Sequence, residues 1–201
     1  MATKRLRIFA GPNGSGKSTL LKVVSDKGIH LGIYINADDL KAIINENHFC
    51  SFNDFGLILD LEDFKNKLKS SSLFTKAGGL DLLSGIGQDG NLMVVDQDVN
   101  DYFTSFLSDY LRQSLLFSCD KFTFETVMSH PSKLDFIKSA KEQGFRIYLY
   151  FVALNDPEMN KGRVETRVLQ GGHDVPANKI SIEDSVDFVP GWFQLYVLDK
   201  L

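Results

Sequence analysis

Nine consecutive residues near the start of the chain have the composition and spacing of a phosphate-binding loop. The first eight satisfy the pattern GxxxxGK[ST], in which backbone amides and the N-terminus of the following helix surround an anionic phosphate. Lys17 would reach the β- and γ-phosphates, the Ser18 hydroxyl would coordinate a bridging magnesium ion, and Thr19 would support the helix start. An ordinary turn between a strand and a helix does not require three glycines close to a lysine. The predicted nucleotide-binding residues are Gly11, Pro12, Asn13, Gly14, Ser15, Gly16, Lys17, Ser18 and Thr19.

A phosphate loop leaves the reaction open, because kinases, switches and motor ATPases all contain one. The segment Asn36-Ala37-Asp38-Asp39 follows the second predicted strand, where a carboxylate could accept a proton from a substrate hydroxyl that attacks the γ-phosphate. Acidic residues in the first turn of a helix also interact favourably with its dipole, and this explanation fits Asp39 better. Asp38 is therefore the candidate catalytic base.

A second carboxylate follows another predicted strand. Glu125 and Thr126 come after the apolar run that ends at Phe124, at the edge of the sheet where a substrate should lie. Glu125 could orient substrate hydroxyls or metal-bound water, and we predict that both residues contact the substrate. A Glu-Thr pair in this position is also common where a helix begins, so this alternative stays open.

Two arginines near the C-terminus are spaced for one face of a helix. Arg163 and Arg167 lie four residues apart, and Gly171 and Gly172 follow them closely. Guanidinium groups held over the phosphates would stabilise the charge that spreads over the transferring group, and the glycines could serve as the hinge of a closing lid. A solvated basic face is the alternative explanation for the same spacing.

Alternating strands and helices must position these side chains. We expect strands over Arg5–Ala10, Leu31–Ile35, Lys121–Phe124 and Arg146–Val152. We expect helices over Lys17–Asp26, from near Asp38 with Asn36 as its cap, over Asp101–Phe117, and from near Pro131. This order predicts an α/β P-loop fold, with a mostly parallel sheet, helices on both faces and a helical insertion over about residues 51–100.

One segment of the insertion resembles a Walker B strand. Leu92-Met93-Val94-Val95-Asp96 is an apolar run that ends in an aspartate, which could hold magnesium through water. Its place inside the insertion, before a helix that Asn100 would cap, favours a peripheral strand and turn instead.

Composition excludes several classes of protein. With 201 residues, a formal charge of −4 and no linker or repeat, the chain is predicted to form a single domain over residues 1–201, with an atypical tail over 181–201. The net negative charge argues against a nucleic-acid partner. Cys50 and Cys119 do not have the spacing of a metal-binding motif or of a disulfide-rich protein. No segment has the roughly 20 apolar residues needed to span a bilayer, so we expect a cytoplasmic protein that makes no membrane contact.

Four segments together resemble the zeta toxin family. They are GPNGSGKST, YINADDL, FTFETVMS and RVETRVLQGGHDVP, which occur in the order that the family shows and span about residues 5–180. The resemblance implies a P-loop kinase that uses ATP and Mg²⁺ to phosphorylate the 3′-hydroxyl of UDP-N-acetylglucosamine. It also implies inhibition by a small antitoxin protein.

The resemblance assigns roles to individual residues. It implies that Lys17 is the loop lysine, Asp38 the catalytic aspartate and Glu125 a substrate-contacting glutamate. It implies that Arg163 and Arg167 stabilise the phosphate in transfer. The chain departs from the family pattern in the stretch from Ser51 to Asn100 and in its tail, where no arginine follows Arg167.

These departures keep other functions open. The acceptor could be another small metabolite, a nucleoside or a nucleic-acid end, because the insertion could reshape the acceptor pocket. The chain could also be a nucleotide-binding module with little catalysis that acts through a partner.

Overall fold

The computed structural model describes residues 3–128 and 132–152, in which strands and helices alternate. The strands are β1 (Arg5–Ala10), β2 (Ile33–Ile35), β3 (Phe49–Ser51), β4 (Ile86–Asp89), β5 (Leu92–Val95), β6 (Lys121–Thr126) and β7 (Arg146–Phe151). The α-helices are α1 (Lys17–Asp26), α2 (Ala37–Asn47), α3 (Leu61–Ser70), α4 (Phe74–Ala77), α5 (Gly79–Gly85), α6 (Asp101–Ser118) and α7 (Ser132–Glu142), and a 3₁₀ helix covers Phe52–Phe55.

The main sheet confirms the predicted α/β fold class. Its four strands lie in the order β2-β6-β1-β7, and the sheet is mostly parallel with flanking helices. The helices α1 and α7 lie in the connections from β1 to β2 and from β6 to β7, as the crossover between parallel strands requires. The P-loop strand β1 therefore has β6, which ends in Glu125 and Thr126, as a sheet neighbour.

The chain divides into two compact units that interleave along the sequence. The helical unit contains residues 3–5, 32–123 and 143–145, and the phosphate-loop unit contains residues 6–31, 124–128, 132–142 and 146–152. The prediction of a single domain stays a prediction.

An aromatic cluster forms much of the core of the helical unit. Phe64 of α3 has its ring centroid 6.1 Å from that of Phe103, 5.4 Å from that of Phe106 and 5.1 Å from that of Tyr110, all in edge-to-face geometry. Phe64 and Phe103 are completely buried. Phe103, Phe106 and Tyr110 are three and four residues apart on α6 and therefore share one helical face. The helices α3 and α6 thus pack through rings that prefer this edge-to-face geometry.

The predicted helical insertion also contains a small sheet. Its helical parts are the 3₁₀ helix, α3, α4 and α5. In addition, β5 pairs antiparallel with β3 and with β4, so that Met93 lies opposite both Cys50 and Gln88. The predicted strand at Leu92–Val95 is confirmed and lies outside the main sheet, whereas the sequence pattern did not predict its two partners.

The core of the phosphate-loop unit lies on both sides of β1. Leu6, Ile8, Phe9 and Ala10 are fully buried, in agreement with the strand predicted there. Phe9 stacks on Tyr150 of β7 with a centroid separation of 4.6 Å. A buried strand of this kind gives the loop that follows it a fixed starting point. No helix of residues 3–128 and 132–152 is long and apolar enough to cross a membrane.

Candidate nucleotide-binding site

Glycine conformations shape the loop between β1 and α1. Gly14 has φ 79° and Gly16 has φ 100°, values that residues with a side chain rarely adopt. Gly16 is the N-cap of α1, and no side chain of the described residues caps this helix end. The positive end of the helix dipole at this point attracts an anion.

Gly11 anchors the loop to two neighbouring strands. Its N–H donates to the carbonyl oxygen of Thr126 at 3.2 Å. Its φ is 141°, and a Cβ atom at this position would collide with the carbonyl oxygen of Val152. Only glycine permits this approach of the backbones.

The Lys17 side chain is bonded to the first two residues of the loop. Its Nζ donates hydrogen bonds to the carbonyl oxygens of Gly11 at 2.8 Å and Pro12 at 2.7 Å. These bonds hold the ammonium group against the segment that would surround a phosphate. Because phosphate oxygens carry negative charge, they can compete with the neutral carbonyls for the same donor.

Ser15 has a buried hydroxyl group that lacks a partner. The residue is 2% exposed, and its Oγ makes no hydrogen bond to any part of the chain that the structure describes. A buried polar group without a partner is costly, so the site favours a ligand that can pair with it. A phosphate oxygen in the loop would meet this need, and the loop residues therefore fit a nucleotide.

The predicted magnesium ligand and a predicted substrate residue lie together. Ser18 Oγ donates to Glu125 Oε2 at 3.2 Å, although the two residues are 107 positions apart in sequence. Both belong to the phosphate-loop unit. β6 extends to Thr126, two residues beyond the predicted strand end, so Glu125 is part of the strand rather than the residue after it.

Thr126 supports the turn that follows β6. Its Oγ1 accepts a hydrogen bond from the N–H of Met128 at 3.2 Å, and Met128 has the positive φ of 63°. Its predicted contact with a substrate stays a prediction.

Asp38 lies in the helical unit, in the first turn of α2. Asn36 caps this helix as predicted, since its Oδ1 accepts a hydrogen bond from the N–H of Asp38 at 3.0 Å. The Asp38 side chain is exposed. Because Asn36 already satisfies the helix end, the carboxylate of Asp38 is not needed as a cap.

Arg163 and Arg167 lie outside the described residues, and so does the glycine pair predicted as a hinge. Their roles, like that of Asp38 as a base, stay predictions.

The helical unit contains an open groove of about 770 Å³. Its lining includes the exposed Ile58 and the charged residues Asp60, Glu62, Lys65 and Lys69. These charges balance, and Asp60 is already occupied as the N-cap of α3. The groove therefore lacks the convergent groups of a phosphate site, and the loop is the better candidate.

Comparisons with known proteins agree with the fold and leave the family open. No protein-family model matches the chain. An uncharacterized protein of Haemophilus influenzae is 38% identical over 52 residues, which cover 26% of this chain and 37% of that protein.

Similarity of structure extends over more of the chain. A Chloroflexus aurantiacus protein described as a "putative kinase" aligns with a TM-score of 0.52 and 14% identity over 92% of this chain and 80% of the other. The two proteins share an α/β fold. At this identity, the similarity concerns the fold alone.

Proposed function

We propose that this chain is an ATP-dependent kinase that transfers the γ-phosphate to a hydroxyl group of a small molecule. The observation that carries the proposal is the loop itself. Gly14 and Gly16 have left-handed backbone conformations, no side chain of the described residues caps the N-terminus of α1, and the Lys17 ammonium group is bonded to the loop backbone. These features bind phosphate in P-loop proteins generally. The kinase-like fold of the Chloroflexus protein supports the choice of a kinase among P-loop functions.

Different residues of the loop would contact the phosphates and the magnesium ion of the nucleotide. Backbone amides and the Ser15 hydroxyl would hold phosphate oxygens, and Lys17 would leave the carbonyls of Gly11 and Pro12 to contact them. The Ser18 hydroxyl is an oxygen ligand of the kind that Mg²⁺ prefers. Bound magnesium would neutralise the charge on the phosphates.

Asp38 is the proposed base for the acceptor hydroxyl. An aspartate that accepts a proton as the oxygen attacks typically contributes a factor of about 10² to 10⁴ to the rate. Arg163 and Arg167 are proposed to stabilise the transferring group. These roles rest on the four sequence segments that resemble the zeta toxin family.

For the acceptor we propose a nucleotide sugar of the UDP-N-acetylglucosamine type. The same resemblance supports this choice, and it extends the proposal to a toxin that a small antitoxin protein inhibits. Another metabolite, a nucleoside or a nucleic-acid end remains the alternative acceptor.

The proposal is tested by phosphoryl transfer from labelled ATP and Mg²⁺ to UDP-N-acetylglucosamine. Asp38→Asn should lose at least about 100-fold in rate and keep its affinity for ATP. The neighbouring Asp39→Asn makes the same change of charge one residue further along α2, and it should retain activity. Lys17→Ala should lose both ATP binding and transfer.

The outcomes separate the alternatives. ATP binding without a phosphorylated sugar, followed by transfer in a screen of other hydroxyl acceptors, would keep the kinase and change its substrate. ATP binding with no transfer to any acceptor would favour a nucleotide-binding module. Equal activity of Asp38→Asn and Asp39→Asn would contradict the proposed base.

A further inference from the structure

We propose that Arg7 and Arg146 form a binding site for a phosphate group, separate from the phosphate loop. Arg7 belongs to β1 and Arg146 to β7, and these strands are neighbours in the main sheet. Both residues belong to the phosphate-loop unit. Arg7 lies four residues before Gly11, which is about 13 Å along the strand at about 3.3 Å per residue. Such a site is additional to the proposed kinase centre and does not depend on it.

The pairing of β1 with β7 places both arginines beside Tyr148. The ring of Phe9 stacks on that of Tyr150. Because alternate residues of a strand point to the same face, Arg7 and Tyr148 lie two residues earlier on this face, and Arg146 lies two residues before Tyr148. The guanidinium carbon of Arg7 is 5.4 Å from the centroid of the Tyr148 ring, and that of Arg146 is 5.6 Å from it. Two cations therefore share one aromatic ring.

The buried guanidinium group of Arg7 lacks hydrogen-bond partners. Arg7 is 7% exposed, and neither its Nε nor its Nη1 donates to any group in the part of the chain that the structure describes. An aromatic ring stabilises the positive charge, but the N–H groups lie in the plane of the guanidinium and still need acceptors. Because arginine is rarely buried without a partner, these donors favour an acceptor from outside the described residues.

The charges around Tyr148 also favour an anion. Neither arginine forms an ion pair with a carboxylate of residues 3–128 or 132–152. Two positive charges close to the same ring repel each other, and an anion beside them removes this cost. A phosphate dianion matches the two charges, and its oxygens match the planar donor groups of arginine.

The exposure of the three side chains indicates a ligand that enters from solution. Arg7 is buried, Tyr148 is partly exposed and Arg146 is exposed. β7 is the last strand in the order β2-β6-β1-β7 of the described sheet. A phosphate group could therefore approach past Arg146 and reach the donors of Arg7.

An unpaired buried charge has a characteristic effect on stability. Replacement of a buried charge by an apolar residue of similar size is often neutral or stabilising, whereas removal of one partner of a buried ion pair is strongly destabilising. In chloride buffer, Arg7→Met should therefore be at least as stable as the parent chain. In phosphate buffer the parent chain should gain more stability than Arg7→Met, because a ligand stabilises the folded state that binds it.

The experiment titrates inorganic phosphate into the full chain by calorimetry at constant ionic strength, so that electrostatic screening is equal throughout. Every protein, including the parent, carries Lys17→Ala, which weakens binding at the phosphate loop equally in all of them. Hydrogen bonds to charged groups are strong, so Arg7→Met should weaken the affinity for phosphate by at least about 10-fold. Arg146→Met removes a more exposed charge and should weaken it by about 2- to 5-fold. Lys141→Met removes the same charge from the exposed last turn of α7 and should keep the parent affinity.

Each result has one meaning. Parent affinity in Arg7→Met, or no binding of phosphate by the parent, would overturn the site. A large loss of stability of Arg7→Met in chloride, or its failure to fold, would show that a carboxylate of the chain pairs with Arg7 and would also overturn it. Arg146→Met gives an independent test, because an affinity equal to that of Lys141→Met would refute the second arginine. All of these outcomes leave the kinase proposal intact.

Discussion

Replacement of Gly11 by alanine tests whether the loop needs glycine for its close backbone contact with Val152, the residue after β7. Gly11 has φ 141°, and the added Cβ would meet the carbonyl oxygen of Val152, whose N–H bonds to Ala10 at 2.8 Å. Backbone strain of this kind costs about 1–3 kcal/mol, and a collision in a packed region costs about 1–3 kcal/mol more. We therefore expect Gly11→Ala to lower the free energy of unfolding by about 2–6 kcal/mol.

Gly28→Ala is the matched control. Gly28 has a positive φ of 76°, but a Cβ there would have no atom within 4 Å. This variant should lose only about 1 kcal/mol, because strain in the left-handed region is partly offset by the lower entropy of the unfolded chain. Urea unfolding followed by far-UV circular dichroism gives both values. Equal destabilisation of the two variants would refute the collision and leave backbone strain as the common cause.

Two further predictions concern the helical unit. The hydrogen bond from Lys67, assisted by one from Tyr110, lowers the pKa of Asp63. The ionised carboxylate therefore stabilises the folded protein at pH values above its unfolded-state pKa. This contribution is lost as the pH falls through the folded-state pKa. Asp63→Asn should make the free energy of unfolding depend less steeply on pH in this acid range. An unchanged slope would contradict the link between the ionisation of Asp63 and stability. Burial raises the pKa of the Cys50 thiol to about 12, so iodoacetamide at pH 8 should modify Cys50 at least about 100-fold faster in urea than in the native protein. Fast native labelling would show that Cys50 is accessible.

Sequence patterns determined the parts of the site that depend on neighbouring residues. The helix predicted over Lys17–Asp26 has those bounds in the structure, and Asn36 and Asn100 cap α2 and α6 as predicted. A loop, a cap and a helix start are specified by residues within one or two turns of each other. Local chemistry is sufficient to predict them.

Other features of the site required the fold. Glu125 was a candidate for a substrate contact in the sequence, and nothing in its neighbourhood indicated Ser18 as its partner. The pairing of β3 with β5 likewise joins segments about 40 residues apart, and the Walker B-like segment that ends at Asp96 belongs to this small sheet rather than to the main sheet.

What the sequence by itself determined is therefore the chemistry of the phosphate loop and the α/β class that carries it. The order of the strands decided which carboxylate lies beside the loop hydroxyl, and the tertiary contacts of Gly11 decided where the loop begins. The physical reason is that strand order depends on which apolar faces pack together across the whole chain. That balance of long-range contacts cannot be read from any short segment.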